Sequence, residues 1–174
     1  MLGPHLLERR APYELSSDPA RLNREHIFRF LSEQSYWAAG IPRHVVERAL
    51  DHSLCVGIYD RTEQVAFARV ITDRATFAYL ADVFVDAEHR GAGLGKWMVE
   101  ALLRHHDLQG LRRWLLATRD AHGLYARFGF APLANPSRIL ERHDPGVYGR
   151  LASEESTAPR PPTPPRPAAD GDRS

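Results

Sequence analysis

The chain has 174 residues, a formal net charge of +1 and one cysteine, Cys55. That length supports one domain with a real core, and so small a net charge supplies no field to gather nucleic acid or an anionic membrane. A lone cysteine excludes an internal disulfide and suits a reducing compartment. No stretch approaches the roughly 20 apolar residues of a membrane span. Charges interrupt "MLGPHLLERRAPYEL" too closely for a signal peptide. The expectation is a cytoplasmic domain with no nucleic-acid or membrane partner.

In chain order, residues 1–12 read as an N-terminal arm, 13–145 as the folded domain and 146–174 as a Pro-rich tail. Tyr13 to Ser16 suggests a short first strand. Asp18-Pro19 signals helix entry, and Leu22, Ile27, Phe30 and Leu31 carry that helix to about Ser35. "GIPRHVVERALDHS" places Pro42 at a second helix start, with Val45, Val46, Ala49 and Leu50 at helical spacing. "SLCVGIYD" and "QVAFARVIT" are β-rich runs joined by a hairpin signal, "DRTEQ". "TFAYLADVFV" is apolar on both faces, which predicts a central strand covered on both sides. Leu94, Trp97, Met98, Ala101, Leu102 and His105 recur at helical spacing. "RRWLLAT" reads as a strand, "AHGLYARF" as a short helix closed by a left-handed Gly129, and "SRILERH" as a last strand. Strands and helices so mixed predict an α/β domain. From Ala152 to Ser174 almost nothing can be buried to offset the cost of ordering backbone, so disorder is expected there. Its "PRPPTPPRP" is a docking sequence for a proline-reading partner or an idle polyproline tail.

Chemistry concentrates in "LADVFVDAEHRGAGLGKWMVEALL". A strand runs into Gly91, Gly93 and Gly95, and a helix follows. The first N–H groups of a helix have no internal partner, glycines let backbone approach a ligand closely, and the helix dipole favours an anion. Phosphate is the usual guest. The nucleotide loop G-x-x-x-x-G-K-[ST] does not fit: its first glycine would be Arg90 and its hydroxyl Trp97. The dinucleotide pattern G-x-G-x-x-G fails as well, since its third glycine falls on Lys96 or Met98. The bland alternative is a tight turn and no ligand.

A third pattern fits. "RGAGLG" matches [Q/R]-x-x-G-x-[G/A], and the stretch resembles the fourth strand, acyl-CoA pyrophosphate loop and third helix of the GNAT-type N-acetyltransferases. "LYARFGF" is similar to that family's L-Y-x-x-x-G-F helix end, at the usual distance, and the likeness runs from about Tyr13 to Arg142. The resemblance implies a mostly antiparallel central sheet flanked by helices, splayed between its fourth and fifth strands, within residues 13–145 as the acetyltransferase domain. It implies acetyl-CoA as co-substrate and no metal. The main chain of Val83, Phe84 and Val85 would bind the pantetheine arm. The N–H groups of Gly91, Ala92, Gly93, Leu94, Gly95 and Lys96 would take the pyrophosphate, with charge from Arg90 and Lys96. Lys96 otherwise reads as a solvated partner of Glu100. Tyr125 matches the family tyrosine near the thioester sulfur, as acid for the leaving thiolate; its alternative is packing on the sheet. A backbone N–H near Val83 would meet the oxyanion. Thr118 stands where many relatives have Asn, which leaves a pantetheine contact open.

Asp82 is the one acid in an apolar strand. Burying a lone carboxylate is costly, so it either pairs with an arginine or faces the cleft as a base. His122 is a second base candidate or a surface residue at a helix start. The segment between the first two helices usually walls the acceptor in this family; here Tyr36 and Trp37 either contact an apolar or aromatic amine or pack on the sheet. The functional expectation is transfer of an acetyl group to a primary amine of a small molecule, by direct attack in a ternary complex, in a chain that forms a homodimer as relatives often do. The rivals are a CoA-binding sensor or scaffold, and an adaptor working through its proline tail.

Overall fold

The computed structural model describes residues 5–157. Among the described residues six strands lie in sequential order: β1 (Leu7–Arg10), β2 (Tyr13–Ser16), β3 (Leu54–Asp60), β4 (Glu63–Thr72), β5 (Phe77–Val85) and β6 (Arg113–Leu115). The first four junctions are antiparallel and only β5–β6 is parallel. A parallel neighbour requires a crossover, and α3 (Leu94–Arg104) supplies it. The sheet lies between two apolar clusters. Leu54, Val56, Ile58, Ala66, Ala68, Val70, Ala78 and Leu80 face α3. Cys55, Phe67 and Phe84 face α1 (Arg24–Arg29) and α2 (Arg43–Asp51).

The apolar spacing of α3 does what it predicts. Leu94, Trp97, Met98, Ala101 and Leu102 are buried, and Val99 with them. Each large side chain so buried is worth about 1.5–3 kcal/mol. His105 ends the helix in an extended conformation and is itself buried. Desolvation, and then the neighbouring His106, hold its pKa below the usual value.

Several elements differ from expectation. The arm contains β1, an edge strand, because α3 holds it: Glu8 accepts from Trp97 Nε1 at 2.7 Å and from Arg104 at 2.8 Å, and Arg10 pairs with Glu100 at 3.0 Å. Tyr13–Ser16 is therefore the second strand, and the strands named fourth and fifth by the resemblance are β5 and β6. The first predicted helix is broken. Asp18 caps a short turn at Pro19–Arg21, then Asn23 caps α1 anew by accepting from the His26 N–H. The third predicted strand, β5, is covered less fully than expected: it buries only Ala78, Leu80 and Phe84, whereas six consecutive residues are buried in β3 and five in β4. "SRILERH" forms no strand: Pro136–Arg138 is a single turn, and Leu140 is 92% exposed. The tail begins with helix α5 (Val147–Thr157), whose Tyr148 packs on the α1–α2 cluster, so Ala152 to Thr157 is helical. The proline-rich run lies outside the described residues.

Candidate active site

Two departures from regular backbone shape the end of β5. The first is a bulge. Phe67 pairs with Phe84 but Arg69 pairs with Ala81, so Ala68 alone stands opposite Asp82 and Val83. Asp82 takes a φ of +52°, a conformation uncommon without glycine. A bulge reverses which face later side chains occupy. Before it, Ala78 and Leu80 point to α3; after it, Val83 and Val85 do, and Phe84 turns to the other face. There Phe84 stacks on Phe30 with centroids 3.7 Å apart.

The side chain of Asp82 holds the bulge. Its carboxylate accepts from Arg69 Nε at 2.5 Å and from Trp37 Nε1 at 3.0 Å. Arg69 also donates to Ser53 Oγ at 3.1 Å. The ion pair is largely buried, with side-chain exposures of 16% for Arg69 and 10% for Asp82. Arg69 escaped the sequence reading, although it was the one charge within its own apolar run, as Asp82 was in the next.

The second departure is the glycine turn. Gly91 and Gly93 have φ of +84° and +76°, and a side chain on either would project into open space. Their need for glycine is therefore conformational. Gly95 has no positive φ, and a Cβ there would lie 3.9 Å from Val85 Cγ2, an ordinary contact. Gly93 caps α3 and no side chain bonds the first N–H groups of that helix, which leaves them available to an anion. Arg90 donates from Nε to the carbonyl of Val85 at 3.0 Å, and Lys96 is exposed. Just before the turn, Asp86 Oδ2 stands 3.1 Å from His26 Nε2, a pair the sequence did not reveal. Burial raises the Asp86 pKa, against the opposing influence of His26 and His89.

β5 and β6 pair only through Phe77–Tyr79 and Arg113–Leu115. From Leu80 onward β5 has no partner on that side, so the strands part where Val83, Phe84 and Val85 lie. α4 (His122–Ala126) follows β6. Thr118 Oγ1 accepts from the Ala121 N–H at 3.0 Å, and Gly129, φ +83°, closes the helix as expected. Tyr125 is 8% exposed and shares the α3-side cluster with Leu94, alongside Val83 and Val85. Phe130 meets its ring edge-on at 5.9 Å. Burial, then Tyr36 and Asp120, raise the phenol pKa. His122 is exposed.

Tyr36 and Trp37 do not pack away on the sheet. They are 49% and 42% exposed and meet edge to face at 5.0 Å. Arg119, also missed from sequence, donates its N–H to the Tyr36 hydroxyl at 3.3 Å and lays its guanidinium 3.8 Å from the ring. The structure thus links Tyr36, Trp37 and Asp82 directly and brings Tyr36 within electrostatic range of Tyr125. A separate cavity of about 480 Å³, lined by Leu103, Trp114, Phe128 and Ile139 among others, includes none of the expected site residues.

Residues 14–130 match the Acetyltransferase (GNAT) family. A Gibberella zeae protein assigned as an acetyltransferase is 36% identical over 140 residues, spanning 68% of this chain and 78% of that one. The chloroplastic GCN5-related N-acetyltransferase 1 of Arabidopsis thaliana is 30% identical over 142 residues, 73% of this chain and 72% of its own. A crystal structure from Xanthomonas campestris pv. campestris, assigned to the GNAT family, superposes with a TM-score of 0.76 at 54% identity over 78% of this chain and 96% of that one. A family match across most of the folded region, relatives on that scale and a sheet that parts beside a glycine turn agree: the chain belongs to the GNAT family of acetyltransferases.

Proposed function

We propose that the protein transfers an acetyl group from acetyl-CoA to a primary amine of a small molecule, by direct attack within a ternary complex. The observation that carries this reading is the placement of an uncapped helix start behind two left-handed glycines, at the end of a strand released from its neighbour, with a buried tyrosine in the adjoining cluster. The donor, when bound, supplies an activated thioester. The chain's part is to hold and orient it. The N–H groups of Gly91 to Lys96 receive the diphosphate, Lys96 adds charge, and the free edge of Val83–Val85 receives the pantetheine amides as an added strand would. The bulge turns backbone near Val83 out of the β4 ladder, which supplies an N–H donor for the carbonyl oxygen as charge develops on it.

The amine nitrogen forms a bond to the acetyl carbon, the carbon–sulfur bond breaks, and its electron pair leaves on sulfur. Tyr125 gives that sulfur a proton. The amine's proton passes to solvent, from which the phenol is restored. At reference values a phenol near 10 protonates a thiolate derived from a thiol near 8.5 modestly uphill, and the burial that raises the Tyr125 pKa steepens that step. Burial keeps Tyr125 in its proton-bearing form to higher pH, so loss of rate by its ionisation falls above pH 10.0. Asp82 acts as a positioning group: both its oxygens are already engaged, by Arg69 and Trp37.

The test is release of CoA thiol from acetyl-CoA across a panel of primary amines, with Tyr125→Phe beside the parent. Removing a positioned acid typically costs about 10²–10⁴ in kcat, and acetyl-CoA affinity by calorimetry is expected to persist. Binding with no amine-dependent release would replace this reading with the CoA sensor. Unchanged turnover in Tyr125→Phe would remove the tyrosine from the chemistry.

A further inference from the structure

We propose that the acceptor is an aryl-alkyl amine with a single basic nitrogen, its ring seated against Tyr36 and Trp37; this rests on the acetyl-transfer reading above. Tyr36 and Trp37 stand half exposed, yet each is tied to a neighbour at its polar end. Trp37 is pinned through Nε1 by Asp82, itself pinned by Arg69. Behind Trp37 the tilted ring of Phe30 stands at 6.5 Å, stacked in turn on Phe84. Tyr36 is held at its hydroxyl by the Arg119 N–H and across one face by the Arg119 guanidinium. Rings fixed before binding lose little freedom when a ligand ring joins them, and ring pairs favour the stacked or edge-on approaches such a pair offers.

The charges around the pair select among amines. Asp82, which touches Trp37, is neutralised by Arg69. Asp120 lies 3.8 Å from Arg119, and the Arg119 guanidinium itself covers Tyr36. A second ammonium on the acceptor would meet Arg69 and Arg119 here, with the carboxylate of Asp82 buried in its ion pair and that of Asp120 in solvent beside Arg119. An apolar ring meets two fixed aromatic surfaces. The pair also lies beside the element that carries the proposed acid: Tyr36 is bonded to the Arg119 N–H, three residues before the α4 start that leads to Tyr125. A short alkyl linker then carries a ring-anchored amine toward the thioester.

The experiment compares kcat/KM for 2-phenylethylamine and tryptamine with butylamine and spermidine, by thiol release, in the parent, Tyr36→Ala and Trp37→Phe. An aromatic contact of ordinary strength predicts about a tenfold preference for the aryl-alkyl amines. Tyr36→Ala should raise KM for those amines about tenfold and for butylamine less than threefold, with Trp37→Phe between the parent and Tyr36→Ala. Thermal melts of each variant establish that it is folded. Release that favours butylamine or spermidine, or a Tyr36→Ala effect equal for all four amines, overturns this proposal alone. No release with any amine overturns the acetyl-transfer reading and this one with it.

Discussion

The bulge at Asp82 and the turn at Gly91–Gly93 both force backbone into positive φ within a dozen residues, by opposite means. The turn removes the side chain: with no Cβ, left-handed geometry costs glycine little, and nothing else need hold it. The bulge keeps a side chain and uses it, tying Asp82 to Arg69 on β4 and to Trp37 from the α1–α2 link. A glycine shape is local and stands alone. A tethered shape joins three elements, so the geometry near Val83 depends on β4 and on the α1–α2 link.

The largest expected effect breaks the tether. Arg69→Met leaves a carboxylate only 10% exposed without its cation, and loss of about 3 kcal/mol is expected, measured by urea unfolding. A loss below about 0.5 kcal/mol, the range of an ordinary surface change, would mean the bulge is held by backbone alone. Next is the turn. Gly93→Ala meets no steric obstacle, so its cost is the left-handed penalty of roughly 1–2 kcal/mol, and CoA affinity should fall with the displaced amides. Gly95→Ala is the control within the same motif. Its Cβ makes an ordinary contact and alanine is the better helix former, by about 0.8–1.0 kcal/mol. Stability should hold or rise; a drop in CoA affinity without a drop in stability would show that Gly95 serves close approach of the ligand.

The smallest effect expected is on turnover, and it is the most diagnostic for Asp82. Asparagine tolerates the left-handed region and keeps one acceptor oxygen, and Arg69 keeps Ser53 as a partner, so Asp82→Asn should cost less than Arg69→Met, about 1–2 kcal/mol. As a positioning group its loss should lower kcat less than about tenfold and leave the pH profile in place. A fall beyond about 10² with loss of a pH-dependent limb, the signature of a removed general base, would return Asp82 to the chemistry.

The same contrast governs what was legible. The glycine turn, α3 and the Gly129 closure were readable because their signals are local: positive φ without a side chain, and apolar spacing of 3–4 residues. β1 was not, because Glu8 is held by Trp97 and Arg104, some ninety residues away. "SRILERH" offers two adjacent apolar residues, Ile139 and Leu140, but finds no partner strand, so Leu140 is left in solvent. For Asp82 the sequence narrowed the choice to an arginine partner or the cleft. Arg69 settles the pairing, yet the bulge that brings the two together has no signature in either run, since an aspartate carries none of the conformational licence a glycine advertises. For Tyr36 and Trp37 the sequence left both alternatives open, because aromatic residues after an apolar helix suit an exposed wall as well as a core; their exposure decides against packing on the sheet.

The proposed function stands or falls on the glycine turn and the released edge of β5 together receiving the acyl donor. Backbone amide chemical shifts recorded during titration with CoA test it most directly. Saturable shifts concentrated at Gly91 to Lys96 and at Val83 to Val85 are the expected result. Saturable shifts confined instead to the separate cavity around Trp114, Phe128 and Ile139, or no shifts at all, would contradict it.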